Sequence, residues 1–559
     1  VGHPSPNRPP LPEACYDVIV IGGGINGVAI ARECAQAGKR VLILEQNDFA
    51  SGTSSRSTRI IHGGLRYLEH GEIGLVRESL RERERLLRER AHLVRPVRFL
   101  LALPRHENAF TLRNSFAVRA GLWLYGAFGG PKHCPDAKLT PRDLERSLDQ
   151  GDGWAVFDYE DAQCEFPERL IAEWLVEAVQ AGALAMNHTE VLEIEVRERR
   201  ASAVRTRNRF TGAESRFTAT HIINATGPWV DRVCAASSLS NKRMVGGVRG
   251  SHILLPKIEG GPAEAIYSEA EDGRPVFLVP WNKQILVGTT EVRDDGDPGD
   301  AHPDAEEAAY LLRSAQKMFP QAGFHAGQIT AAFSGVRPLP YSPGEKAGAI
   351  TRRHILHDHA EDGAAGLISV IGGKLTTAAS LARQCARKIG VHVLEQRLPV
   401  VAKGTASGME STLQQWSYQI AQLSNGRGRP LARESARAIA EWFGPRALCV
   451  IFSASQCPNL QEQIIPGSPH IVAEALHAVR AEHAVTLGDI LLRRVPLALS
   501  GDWDTESSQT AAERIGRGLG WSASRTADEL ERFTEERANF MRRPESLAHS
   551  GAALGECVA

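Results

Sequence analysis

The 559-residue sequence has no run approaching ~18 consecutive apolar residues, so no membrane-spanning helix is expected. It has no C-x-x-C. Its nine cysteines (Cys15, Cys34, Cys134, Cys164, Cys234, Cys385, Cys449, Cys457 and Cys557) are scattered and odd in number. That argues against a disulfide framework or a Cys-rich zinc site and points to a reducing compartment. Charge of one sign is lacking too: 65 Lys+Arg face 66 Asp+Glu, leaving no basic field for a nucleic-acid partner. The first fourteen residues, VGHPSPNRPPLPEA, carry five prolines and no apolar h-region. They are not read as a secretory signal, and residues 1–15 are expected to be a disordered lead-in.

What is present is glycine, 52 residues, about 9% against a ~7% average. Asp17–Ile21 (DVIVI) is a continuous apolar run, the pattern of a strand buried on both faces. Gly22-Gly23-Gly24-Ile25-Asn26-Gly27 follows, then a helical pattern over Val28–Ala37 stopped by Gly38, then a strand Val41–Leu44 ending at Glu45. This is one βαβ unit carrying G-x-G-x-x-G. Gly22 permits the tight turn, Gly24 lets backbone reach a pyrophosphate, and Gly27 lets helix pack on strand. Glu45 is placed to accept hydrogen bonds from a ribose and to repel a 2′-phosphate, against NADP. The pattern predicts dinucleotide binding without choosing between NAD and FAD.

Further segments narrow the choice. SGTSSRST (51–58) and HGGLRY (62–67) follow Glu45, NATGPW (224–229) ends a later strand, and GGKLTT (372–377) stands at a late strand-to-helix junction. With RGSHILLP, VPWNKQILVGTTEV and FSGVRPL, these resemble the FAD-dependent glycerol-3-phosphate dehydrogenase family, in that family's order from residue 17 to about 390. TLGDILLRR resembles its helical C-terminal region. The wider resemblance is to D-amino-acid-oxidase-like flavoproteins, implying an α/β (α+β overall) chain with a Rossmann-like FAD-binding domain, an inserted antiparallel β substrate domain and a C-terminal helical domain. The expected FAD-binding domain is 16–100 plus 160–235 plus 330–392, the substrate-binding cap 101–159 plus 236–329, and the helical domain 400–559, with a linker near 400–430.

The resemblance implies a non-covalent FAD. Gly22, Gly23, Gly24, Asn26, Gly27, Glu45 and Gln46 would hold its ADP half. Thr53, Ser54, Ser55 and Ser57 would line the pyrophosphate and flavin, Gly63 and Gly64 would lie against the ring, and Ala225, Thr226 and Gly227 would close the adenosine side. Gly373, Lys374, Leu375 and Thr376 would present helix N-terminal N–H groups to the flavin. The implied reaction oxidises sn-glycerol 3-phosphate to dihydroxyacetone phosphate by hydride transfer from C2 to FAD. Electrons would go to a membrane quinone, or to oxygen in an oxidase. Arg66, Tyr67 and Lys374 would hold the phosphate, and Arg337 would face the developing alkoxide. His62 or His252 would take the hydroxyl proton, a role suited to an imidazole near neutral pKa; the sequence does not choose. Arg249 and Thr290 are further candidates for the site wall. The family also implies a cytoplasmic protein peripheral to the inner face of a membrane, and is compatible with a homodimer.

Other patterns are read as structural. Arg56 and Arg59 are expected to be solvated or structural, the charged helix 75–90 to show a solvated face, Asp294–Asp300 to be an acidic surface turn, and His354, His357 and His359 to lie in a surface loop. Phe166 and Pro167 interrupt an acidic pair that the family carries before Arg169-Leu170; Pro167 can begin a helix, so the fold is expected intact. Phe110–Phe128 mixes aromatic and basic residues as an interfacial helix does, with a helix packed on the substrate domain as the alternative.

Overall fold

The computed structural model describes residues 15–542 apart from 69–70, 105–114, 131–132, 135–143, 145–147, 149–153, 238, 240–241, 259–263, 393–405, 426–430 and 455–456. Residues 1–14 of the expected lead-in and Phe110–Asn114 therefore lie outside the described residues, whereas Cys15, expected in the lead-in, opens the first strand.

Two sheets organise the chain. The first holds β1 (Cys15–Ile21), β2 (Val41–Leu44), β6 (Leu184–Met186), β7 (Thr189–Arg197), β8 (Arg200–Asn208), β9 (Glu214–Asn224), β16 (Ile355–Asp358) and β17 (Leu367–Ile371). Its centre is parallel: β1 pairs with β2 and β9, and β9 with β17. The alternation of β1 explains its unbroken apolar run. Val18 and Val20 enter the core beneath helix α1 (Ile25–Gln36), while Ile19 and Ile21 enter a second core with Ile194 and Phe217. Both faces are covered, as a parallel sheet requires.

The second sheet holds β3 (Ile60–Ile61), β4 (Val94–Pro104), β5 (Trp154–Cys164), β10 (Val245–Pro256), β11 (Ala265–Glu269), β12 (Pro275–Trp281), β13 (Gln284–Gly288), β14 (Val292–Arg293) and β15 (Ala331–Pro340). It is antiparallel except for β11 on β4. β15, from a stretch assigned by sequence to the FAD body, pairs along its length with β10 and so carries Arg337 into this sheet.

Several local expectations shift. Helix α2 (Ile73–Glu89) buries Glu82 and Arg83 along with its leucines, so its charged side is not wholly solvated. Arg83 meets Asp161 at 2.9 Å, inside the protein. A helix does start at Pro167, which needs no N–H there. Its Glu168 pairs with the fully buried Arg59, which also lies over Trp281; its Arg169 pairs with Glu482. Within HILHDH, Ile355–Asp358 form strand β16, which holds His357, while His354 and His359 flank it. The expected linker contains a helix, Ala406–Asn425. The C-terminal helices close one core with Phe99, Leu254, Trp281 and Phe333 of the second sheet.

Candidate active site

Two cavities meet between the sheets. One, of about 460 Å³, runs from the glycine loop past Glu45 and Gln46 to Thr189 and Trp229. The other, of about 500 Å³, is lined by His62, Arg66, Tyr67, His252, Arg337 and Arg352 among others. Thr53, Arg56, Ser57, Gly335, Gly373 and Lys374 border both, so they form a throat.

The first cavity is shaped for a dinucleotide. Gly22 adopts φ +105°, and a Cβ there would lie 2.6 Å from Ala225 O. Gly27 packs still closer on the Gly22 carbonyl. Gly24 precedes α1 with no side-chain cap, leaving first-turn N–H groups toward the cavity. Ser54 Oγ accepts from Ile25 N at 3.0 Å. Asn26 Nδ2 donates to Gly372 O at 3.2 Å, while its Oδ1 is buried without a partner. Glu45 accepts from Gly23 N at 2.7 Å and Asn47 N at 2.9 Å. Burial nonetheless pushes its carboxyl up. An orphaned amide oxygen, a helix N-terminus and a half-buried carboxylate beside open space suit a ribose–pyrophosphate ligand.

Of the sequence candidates, Gly22, Gly24, Asn26, Glu45, Gln46, Thr53, Ser54, Ser57, Ala225, Thr226, Gly227, Gly373, Lys374 and Leu375 line this cavity. Gly64 and Thr376 line the other. Gly23 and Gly27 serve packing instead: a Cβ on Gly23 would meet Phe49 at 2.4 Å. Ser55 is turned away, its hydroxyl donating to Ala50 O. Gly63 gives its N–H to Tyr125 Oη at 2.7 Å. Residues 373–376 form the turn before a helix that begins only at Ala378, so they do not supply its first-turn N–H groups.

The second cavity gathers cations. Arg337 reaches Thr289 Oγ1 at 2.9 Å and Thr290 O at 3.3 Å, and has no carboxylate partner among the described residues. Gly250 makes room for it, since a Cβ there would lie 2.4 Å from Nη2. Burial and the neighbouring Arg352 pull its pKa down to about 10. Lys374 donates to Ser79 Oγ at 2.7 Å and sits 4.7 Å from the Tyr67 ring centre; burial lowers it to about 8. Arg66 lines the cavity without an ion-pair partner among the described residues. Arg352 pairs with Glu291 at 2.7 Å and leaves Nη1 buried and unpartnered.

Both histidines line the cavity, but neither has the near-neutral pKa expected from sequence. Burial, reinforced by Lys374 for His62 and by Arg337 then Arg59 for His252, lowers each to about 3. His252 Nε2 lies 2.9 Å from Thr58 Oγ1, and its ring stacks on Phe333. Arg249 is engaged by Asp294, Asp304 and Glu307, and Thr290 donates to Glu307 at 2.5 Å. They stand behind the wall that Thr289 forms.

Sequence reasoning missed Arg352, which lies in none of the motifs, and Thr289 and Glu291, which flank Thr290 within VGTTEV. It also missed the Tyr125–Asp161 pair. Tyr125 donates to Asp161 at 2.8 Å, and the pair holds Gly63. No local pattern links residues on a helix and a strand 36 positions apart. Arg56, expected to be solvated or structural, borders the throat, and burial lowers it to about 10.

Comparison with known proteins agrees with this geometry. A family model described as FAD dependent oxidoreductase matches residues 17–379. A second, the C-terminal domain of alpha-glycerophosphate oxidase, matches residues 369–526. A curated glycerol-3-phosphate dehydrogenase of Synechocystis is 36% identical over 554 residues, covering 95% of this chain and 97% of its own. The chain belongs to the FAD-dependent glycerol-3-phosphate dehydrogenase family. Family members include the aerobic enzyme of Escherichia coli K12, 33% identical over 89% of this chain and 97% of its own. D-erythritol 1-phosphate dehydrogenase of Brucella abortus is 35% identical over 86% of this chain and 94% of its own. The fold matches the Bacillus halodurans glycerol-3-phosphate dehydrogenase complexed with FAD, at TM-score 0.73 and 22% identity, covering 94% and 95% of the two chains. The family cofactor is FAD, and the glycine-loop cavity fits it. Among the described residues no helix is long and apolar enough to cross a membrane.

Proposed function

We propose that the protein oxidises sn-glycerol 3-phosphate at C2 to dihydroxyacetone phosphate and passes the electrons to a membrane quinone. The observation that carries this is the meeting of Arg66, Arg337 and Lys374, none paired with a carboxylate among the described residues, at a cavity that opens on the dinucleotide site. Half-buried cations that no carboxylate contacts directly favour an anion that completes them. A phosphate monoester does so with charge-assisted hydrogen bonds.

FAD, which the residues of the glycine-loop cavity would hold, would supply the two-electron acceptor. The chain's residues do the rest. Arg66 and Lys374, with Tyr67 beside them, bind the phosphate. Arg337 stabilises negative charge developing on the C2 oxygen. His252 accepts the hydroxyl proton: it feels Arg337 as its largest charged neighbour, so it shares that end of the cavity, whereas His62 shares the Lys374 end. Its low pKa keeps it neutral before reaction; the positive charge it gains with the proton is balanced by the negative charge that leaves C2 with the hydride for the two-electron acceptor.

The membrane reading rests on α3 (Ser115–Gly129), where Trp123 is 74% exposed. An oxygen-electrode trace with glycerol 3-phosphate, with and without a soluble quinone, tests the whole proposal. Oxygen uptake without quinone identifies an oxidase instead. Turnover faster on D-erythritol 1-phosphate reassigns the substrate.

A further inference from the structure

A second cluster of ligating side chains lies at the edge of the first sheet. His357 lies on β16 and His359 one residue past its end, so the two side chains stand close together where the strand turns. The turn that follows brings Asp362 back over them: His359 O accepts from Ala364 N at 2.8 Å, and His359 N donates to Leu367 O at 3.1 Å. The imidazole rings meet edge to face with centres 4.5 Å apart. His357 Nε2 and His359 Nδ1 converge on one oxygen, Asp362 Oδ2, at 2.7 and 2.9 Å. One ligand atom from each residue lies within 4.8 Å of the others.

We infer that His357, His359 and Asp362 form a binding site for a borderline divalent cation of the zinc class. Two imidazole nitrogens and one carboxylate oxygen are the donor set such ions take, and one that magnesium and calcium do not favour. A second observation points the same way. His359 is 1% exposed, and its Nε2 is held by Ser369 Oγ at 2.8 Å on the paired strand β17. Donation there leaves the lone pair on Nδ1, the arrangement by which an outer partner orients a metal-ligating histidine. Nδ1 is buried and makes no aligned hydrogen bond, although Asp362 Oδ2 is near. His357 and Asp362 are partly exposed, which leaves an entry path and room for water as a fourth ligand. Such an ion would staple the turn between β16 and β17, and β17 runs on to Gly372 and Lys374 at the throat.

The test uses FAD-loaded protein without an affinity tag, cleared of metal by a chelator and titrated calorimetrically with zinc chloride. One zinc per chain is expected, with a rise in melting temperature and no response to magnesium. His357→Ala and Asp362→Asn should each weaken binding at least about tenfold while bound FAD and turnover stay unchanged, since neither residue lines the cavities. Exposed Cys15, Cys449 and Cys457 are the competing ligands, and the His357→Ala comparison separates them. X-ray absorption should show two imidazole nitrogens at about 2.0–2.1 Å. Absence of saturable zinc binding, or unchanged affinity in His357→Ala, overturns the inference and leaves a hydrogen-bonded triad.

Discussion

Asp48 accepts two hydrogen bonds from Arg494, at 2.7 and 2.8 Å, across 446 positions of the chain. Asp48 is three residues past Glu45 and is 1% exposed; Arg493 reaches it as well, at 2.5 Å. The C-terminal helices thus grip the loop that follows Glu45. Arg494→Met should cost about 1.5–3 kcal/mol, because Asp48 keeps Arg493 but loses its charge-assisted hydrogen bonds from Arg494. A urea unfolding midpoint equal to that of the parent protein would contradict this. FAD affinity, measured by flavin fluorescence, should fall in the same variant.

Arg337→Ala should lower kcat by roughly 10²–10³, the usual loss for one electrostatic donor acting on developing charge. Arg66→Ala should mainly raise KM, because phosphate binding is nearly the same in ground and transition states. Steady-state kinetics showing the opposite division would reverse the two roles.

Lys374 gives a pH dependence of definite sign. Its pKa in the folded protein is about 8, below the ordinary lysine value, through burial. The ammonium is present below that pH and is lost above it, so KM for glycerol 3-phosphate should rise as pH climbs past about 8. Lys374→Arg should flatten that limb, since arginine stays charged. The same shift makes the unfolded chain bind more protons between about 8 and the ordinary lysine value, so this residue adds stability as pH rises through that window. A KM profile flat to pH 9.5 in the parent protein would rule out a phosphate role for Lys374.

The aromatic helix separates into two uses. Trp123 is 74% exposed, whereas Tyr125 is buried against Asp161, and Phe128 packs near Val76 and Leu80 under Arg77. Trp123→Ser should therefore reduce sedimentation with anionic liposomes without loss of flavin or melting temperature. Sedimentation equal to that of the parent protein would remove α3 as the anchor. Tyr125→Phe is the contrasting change: it leaves Asp161 and the Gly63 N–H under-satisfied, and should cost about 1–3 kcal/mol while leaving liposome binding alone.

The glycine loop, Glu45 and the strands β1, β2 and β17 were legible because their physics is local. A turn that needs φ +105° at Gly22, a helix that starts directly after the glycine loop, and an apolar run buried on both faces are written in consecutive residues. The cations Arg66, Arg337 and Lys374 were picked through the resemblance of their motifs to the family's, not from local physics. Their meeting could not be read from local physics either, because it depends on β15 pairing with β10 and on a throat shared by two cavities. Burial was likewise decided by tertiary structure. It turned two histidines expected to titrate near neutrality into weak bases, withdrew Arg249 and Thr290 behind the cavity wall, and split one aromatic helix into an exposed tryptophan and a buried tyrosine. Desolvation and ion pairing act between segments hundreds of residues apart, as Asp48 and Arg494 do, and no window of sequence contains both partners.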